Sequence, residues 1–195
     1  MLKKLKGWIF DLDGTLVDSN LNFDKMRQEI GIKDNTPVLE YLEALKDPQK
    51  IQEGLQIIDK HELEGASNAR WIEGAKELLE LLQSRAIPMA ILTRNSKKVT
   101  QLTIEKLSIP ISHYITRDDC LPKPHPEGLL KVSCDWKMNT RDIAYVGDFH
   151  FDLQTAQAAN MPFLFYCPKE DNIPSFAKSA DCVFHHYHEL YKKIV

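Results

Sequence analysis

Trp8-Ile9-Phe10-Asp11-Leu12-Asp13-Gly14-Thr15-Leu16 decides how the rest of the chain is read. Trp8 to Phe10 is an apolar run suited to a buried strand, and it stops at two acids. Side chains alternate along a strand, so Asp11 and Asp13 leave its end towards the same side. Gly14 supplies the freedom for a sharp turn where a Cβ is normally penalised. Two carboxylates held together there repel each other, and a cation or a shared proton has to settle them. Two readings stand: a site that uses paired acids, or a strand running into a polar Asp-Gly turn.

Composition narrows the setting. The 195 residues suffice for one domain, or one domain with a small insertion. A hydrophobic fraction of 43% and a charged fraction of 27% are those of an ordinary globular protein. A net charge of −3 leaves no basic footprint, so nucleic acid is not an expected partner. No apolar run approaches the roughly 18 residues of a membrane-spanning helix. The stretch after Lys3, Lys4 and Lys6 turns acidic too soon for a signal peptide. Cys120, Cys134, Cys167 and Cys182 lie far apart without paired spacing, which suggests reduced thiols and a cytoplasmic location.

Away from the opening strand, two patterns alternate. Between residues 20 and 70, Leu21, Phe23, Met26 and Ile30 recur at helical spacing, as do Val38, Leu39, Leu42 and Leu45, then Ile51, Leu55 and Ile58. Asp47-Pro48 marks a break between helices, so the block reads as three or four short ones. From residue 71 onward helices and strands alternate. Helices are expected over Glu73 to Ser84, from the Ser96 cap to about Leu107, over Pro126 to Cys134, Asp152 to Ala159 and His188 to Ile194. Strands are expected at Pro88 to Leu92, Tyr114 to Thr116, Ile143 to Val146, Pro162 to Phe165 and Cys182 to Phe184. The fold class this implies is α/β: a Rossmann-like three-layer α/β/α core with a mostly parallel sheet, plus a small inserted helical cap. Ligands of such sheets bind beyond the carboxyl ends of strands, where Asp11, Thr93 and Asp148 fall. The helical block is placed above that edge, as a lid would be.

Four separated signals occur in order: Asp11-Leu12-Asp13-Gly14-Thr15, Ile91-Leu92-Thr93-Arg94-Asn95, Pro122-Lys123-Pro124-His125-Pro126 and Gly147-Asp148-Phe149-His150-Phe151-Asp152. Together they resemble the haloacid dehalogenase-like hydrolase superfamily, in the branch with a helical cap after the first motif. Phosphoglycolate-phosphatase-like enzymes are the nearest comparison. The resemblance implies a core of residues 1–16 and 71–195 and a cap of residues 17–70. It makes Asp11 the nucleophile that becomes an aspartyl-phosphate and Asp13 the general acid, then base. Asp11, the backbone carbonyl of Asp13, and Asp148 would hold Mg²⁺, with Asp152 in support. Thr93 would hydrogen-bond the phosphoryl group, and Lys123 would neutralise its charge and orient Asp11. Arg94 and Asn95 join Thr93 and Lys123 as substrate-binding candidates.

Duller readings stand beside these. Thr93 can simply end a strand, a lone loop lysine is usually solvated, and Asp148 and Asp152 suit a turn and a helix cap. Arg94 stands where the family commonly has a small or polar residue; it either contacts substrate or points away. His185, His186 and His188 read as a polar junction rather than a metal cluster. Arg27, His61 and Arg70 are expected on the wet faces of the cap helices, with substrate contact as the other reading. The expected function is a Mg²⁺-dependent phosphatase acting on a small phosphorylated metabolite. A phosphotransferase or mutase, or a non-catalytic regulatory protein with the same fold, are the alternatives. Dehalogenase and phosphonatase members lack an acid two residues after the nucleophile, so Asp13 disfavours both.

Overall fold

The computed structural model describes residues 2–194. In chain order its elements are β1 (Gly7–Phe10), β2 (Val17–Asp18), α1 (Phe23–Ile30), α2 (Val38–Ala44), α3 (Pro48–Asn68), β3 (Arg70–Trp71), α4 (Ala75–Ser84), β4 (Met89–Leu92), α5 (Lys97–Leu107), β5 (His113–Ile115), α6 (Glu127–Asp135), β6 (Ile143–Gly147), α7 (His150–Ala158), β7 (Phe163–Tyr166), β8 (Cys182–Phe184) and α8 (Tyr187–Ile194).

Six strands pair in parallel in the order β5-β4-β1-β6-β7-β8. Alternation along β1 sends Trp8 and Phe10 to one face and Ile9 to the other. On the first face they meet Leu78, Leu79 and Leu82 of α4, and Tyr187 and Leu190 of α8. On the second, Ile9 joins Leu129 and Val132 of α6, and Leu153 and Ala156 of α7. Helices on both faces explain why the central strands carry unbroken apolar runs. The chain leaves β1 towards β4 on one side and returns to β6 on the other, a reversal of strand order with β1 in the middle. Phe10 is level with Ile91 and Val146, so the residues that follow all three strands emerge at one edge.

The helical block differs from expectation in one respect. It holds three helices, and the third runs unbroken for 21 residues. Asp47 caps it by accepting from the Gln49 and Lys50 amides at 3.0 and 3.4 Å, and Pro48 fits its first turn. Gly54 and Gly65 do not interrupt it: Leu42 and Leu21 press so close that a Cβ would lie 2.4 Å and 2.9 Å from them. Met26, Ile32, Val38, Leu42 and Ile58 form a separate small core among the three helices. β2 and β3 pair antiparallel, Val17 with Trp71 and Asp18 with Arg70, and tie together the two chain crossings that flank the helices. Two-residue strands are too short to leave a periodic signal, so this pair was invisible in the sequence. The Ser96 side chain also departs from its expected role. It occupies the N-cap position of α5 without a capping bond, and Asp118 instead accepts from the Lys97 amide at 2.7 Å.

Candidate active site

At the edge where β1, β4 and β6 end, Leu12 turns into the core while Asp11 and Asp13 line one cavity. Gly14 makes that turn with φ of 81°, and a Cβ there would lie 2.3 Å from an Asp148 carboxylate oxygen. The cavity holds about 420 Å³ and lies between this edge and helices α1, α2 and α3. Thr93, Arg94, Asn95, Lys123, Asp148 and Asp152 also line it.

Lys123 reaches in from the loop before α6. Its Nζ donates to Asp11 Oδ1 at 2.6 Å and to Asp152 Oδ1 at 2.7 Å, and it is only 5% exposed. Asp152 is more heavily engaged: it also accepts from the Tyr145 hydroxyl at 2.6 Å and from the Phe149 amide at 3.0 Å. The second bond is half of a capping box at the start of α7, so Asp152 is a helix-end residue and a site residue together. Asp148 accepts only from the Thr15 hydroxyl, at 3.1 Å. Thr93 accepts from the Asn95 amide at 3.1 Å, and the Asn95 side-chain amide donates to Asp13.

The carboxylates crowd as a trio drawn from more than one element. Asp11, Asp148 and Asp152 place oxygens within 4.8 Å of one another, whereas Asp13 stands outside the trio and is held by Asn95. A register argument along one strand cannot see acids brought in by another strand and its helix. Burial pushes the Asp11 carboxyl well above the usual range, with Lys123 opposing and Asp152 and Asp148 adding to the rise. Burial and the neighbouring Asp152 push Asp148 to about 7. Burial would strip the proton from Lys123, but Asp11 and Asp152 overcome it and keep the ammonium charged. The Asp13 carboxyl is also raised by burial, against hydrogen bonds from Ser19 and Asn95.

Three carboxylates thus face one ammonium. Among the described residues this trio is the group of acidic, His or Cys side chains close enough to hold a metal ion. All its donors are hard oxygens, which suits a magnesium-like cation. His185, His186 and His188 form no such group; His185 instead bonds the Cys167 carbonyl at 2.6 Å. The described cysteines are free thiols.

Several cap residues depart from the wet faces expected for them. His61 is buried, 3.2 Å from Glu29, and Arg27 lines the cavity while pairing with Asp24 at 2.5 Å. Arg70 is exposed, as expected. Arg94 points inward, 4.7 Å from the Phe151 ring centroid, and donates to Glu40 Oε1 at 2.7 Å. Four residues escaped the sequence reading. They are Tyr145, Glu40, Glu62 and Arg117: an aromatic on an apolar strand and three charged residues outside the motifs carry no local signal of a site. Arg117 in fact bridges Glu62 at 2.6 Å, Asp59 at 2.9 Å and the Arg94 carbonyl at 2.8 Å, linking α3 to the loops after β4 and β5.

Known proteins share this chain's pattern. Residues 20–166 match the model of the family described as haloacid dehalogenase-like hydrolase. A haloacid dehalogenase-like hydrolase domain-containing protein of Arabidopsis thaliana is 29% identical over 156 residues, covering 74% of this chain and 63% of its own, so this chain spans less than two thirds of that relative. A phosphoglycolate phosphatase of Rhodobacter capsulatus is 27% identical over 210 residues, covering 93% of each chain. The crystal structure of a predicted phosphoglycolate phosphatase from Haemophilus somnus shares the fold, with a TM-score of 0.77 at 21% identity over 98% of this chain and 99% of that one. No helix among the described residues is long and apolar enough to cross a membrane. With the family match running from the helical block through β7, the chain belongs to the haloacid dehalogenase-like hydrolase family.

Proposed function

We propose that this protein is a magnesium-dependent phosphatase that hydrolyses a phosphate monoester of a small metabolite through an aspartyl-phosphate on Asp11. The observation that carries the reading is Lys123 Nζ, buried between Asp11 Oδ1 and Asp152 Oδ1 at 2.6 and 2.7 Å beside the cavity. An isolated carboxylate attacking an anionic ester is repelled by about 4 kcal/mol per charge pair at ~4 Å and an effective dielectric near 20. A fixed ammonium on the attacking group offsets that cost without reorganisation at the moment of reaction.

Asp11, the main-chain carbonyl of Asp13 and Asp148 would hold the ion, while Asp152, already bonded to Lys123, Tyr145 and the Phe149 amide, supports them. Bound there, magnesium supplies charge neutralisation to the phosphoryl oxygens. The remaining work falls to the chain. Asp11 attacks phosphorus, and the bond from phosphorus to the ester oxygen breaks. Asp13, whose burial raises its carboxyl, gives that oxygen a proton as it leaves. The resulting Asp13 carboxylate then takes a proton from water, which attacks the aspartyl-phosphate and frees Asp11 and inorganic phosphate. Asn95 holds Asp13 in place, and Thr93 and Lys123 grip the phosphoryl group. Residues 17–70 act as the cap that closes this chamber, with residues 1–16 and 71–195 as the catalytic core. The similarity to proteins named phosphoglycolate phosphatase supports the reaction class.

The test is turnover of p-nitrophenyl phosphate with and without Mg²⁺, beside an Asp11→Asn variant. Metal-dependent release of nitrophenol that the variant loses supports the reading; turnover that ignores either the metal or the substitution refutes it.

A further inference from the structure

Tyr145 lies wholly buried on β6, where it packs against Phe163 of β7 with ring centroids 6.0 Å apart. A phenylalanine would fill that place equally well. A buried hydroxyl is costly unless it finds a partner, so the O–H must have a destination. It donates to Asp152 Oδ1, at 2.6 Å. The same oxygen accepts from Lys123 Nζ at 2.7 Å, and Oδ2 is taken by the Phe149 amide at 3.0 Å. Gly147, two positions on and on the same face of β6, clears the space: a Cβ there would lie 2.5 Å from the Asp152 side chain. Asp152 is thus clamped by the strand and by the loop that follows it, and is only 1% exposed.

The clamp reaches Asp11. A carboxylate oxygen has two lone pairs, and hydrogens prefer to approach along them. With Tyr145 on one, the Lys123 ammonium is left the other, from which it also reaches Asp11 Oδ1 at 2.6 Å. The Tyr145 ring is close as well, its centroid 5.9 Å from Lys123 Nζ, within the range of a cation–π contact. We infer that Tyr145 is a positioning residue: through Asp152 and its own ring it fixes the Lys123 ammonium between two aspartates, and so keeps Asp11 aimed at phosphorus. The aim at phosphorus rests on the phosphatase reading, whereas the hold on Lys123 stands without it. Remove the hydroxyl, and Asp152 Oδ1 keeps a bare lone pair in a dry site. The ammonium is then free to slide round that oxygen, away from Asp11.

Tyr145→Phe removes the hydroxyl and keeps the ring. Phe163→Leu disturbs the packing around that ring and keeps the hydroxyl, so it separates positioning from support. Turnover of p-nitrophenyl phosphate with Mg²⁺ is measured for the wild type and both variants, and the fold of each is followed by its urea midpoint. Tyr145→Phe is expected to lower kcat by about tenfold or more with KM within about threefold, because the bond from Lys123 to Asp11 matters most as the nucleophile attacks. Phe163→Leu is expected to lower the urea midpoint at least as far while leaving kcat within about twofold. Nuclear magnetic resonance reads the hold directly. The ¹H–¹⁵N signal of the Lys123 ammonium, identified by its loss in Lys123→Met, is recorded without substrate or metal. It is expected to shift in Tyr145→Phe and to stay in place in Phe163→Leu.

A kcat for Tyr145→Phe within about twofold of an active wild type overturns the inference and leaves the phosphatase reading intact. So does an ammonium signal that does not move, or an equal fall in kcat or an equal shift in Phe163→Leu, which marks packing alone. No turnover by the wild type of p-nitrophenyl phosphate, glycerol phosphate, ribose phosphate or phosphoglycolate, with an ammonium signal that moves only in Tyr145→Phe, refutes the phosphatase reading while the hold of Tyr145 on Lys123 stands.

Discussion

On the floor of the cavity Lys123 joins Asp11 to Asp152, while Tyr145 and the Phe149 amide complete Asp152. On the roof, Glu40, Glu62 and Arg94 each keep a buried atom with no partner. The floor comes from strand ends and from loops stiffened by Pro122 and Pro124, the roof from helices that carry their own small core. Strand ends and proline-flanked loops hold the floor's side chains against one another, whereas helices packed on a core of their own leave polar atoms without partners at the seam.

The harshest break of the floor is Asp11→Asn. Metal-dependent phosphate release should fall by roughly 10³-fold or more, measured in single-substrate assays at saturating Mg²⁺, because an amide neither attacks phosphorus nor carries the charge that Lys123 holds. Turnover within tenfold of wild type would show that another group attacks. Next comes Lys123→Met, which removes the ammonium from two buried carboxylates, Asp11 and Asp152, and the half-buried Asp148 beside them. Without added metal it should lose about 3–5 kcal/mol of stability in urea unfolding, the cost of breaking a buried pair. Mg²⁺ should recover a larger share in the variant than it adds to wild type.

Floor and roof can also be separated by pH. Asp148 and Glu62 both sit near 7 in the folded protein, above ordinary carboxyl values of 3.8 and 4.5. Across that window the native state holds protons that the unfolded chain has released, so these groups make stability fall as pH rises from about 4 to 7. Metal-free protein should therefore show a lower urea midpoint at pH 7.5 than at pH 5.5, on the scale of about 1 kcal/mol or more per group. Asp148→Asn should flatten the floor's share of the slope and Glu62→Gln the roof's, and Mg²⁺ should offset only the floor's. Variants that leave the slope unchanged would place the titration elsewhere. The smallest effect is expected from Asp24→Asn, which breaks the pair with Arg27 on an aspartate that is 91% exposed. Stability should change by less than about 0.5 kcal/mol; a larger loss would mean that Arg27 depends on Asp24 to keep its place in the cavity.

Parts of this arrangement were legible in the chain. Asp11, Thr93 and Asp148 could be placed at one sheet edge because each follows a short apolar run, and parallel strands put such ends side by side. Lys123 stood out only through the resemblance of Pro122-Lys123-Pro124-His125-Pro126 to a family motif, since a lone loop lysine is usually solvated. Tyr145 did not, since an aromatic on a buried strand reads the same whether its hydroxyl meets solvent, backbone or Asp152. His61 was misplaced and Glu62 passed over for a related reason. Periodicity assigns one face of a helix to an apolar core, and it cannot tell that α3 also packs on α5 and on the loops after β4 and β5.

The sequence by itself determined the α/β alternation, the parallel sheet and the oxygen-rich edge, because those rest on local periods of apolar residues and on where each run stops. Tertiary structure alone decided how closely the acids crowd, that Asn95 holds Asp13, and that Glu40, Glu62 and Arg94 line the same cavity. Those facts depend on side chains brought together from different elements, and no local pattern encodes such distances: they are set by how whole elements pack.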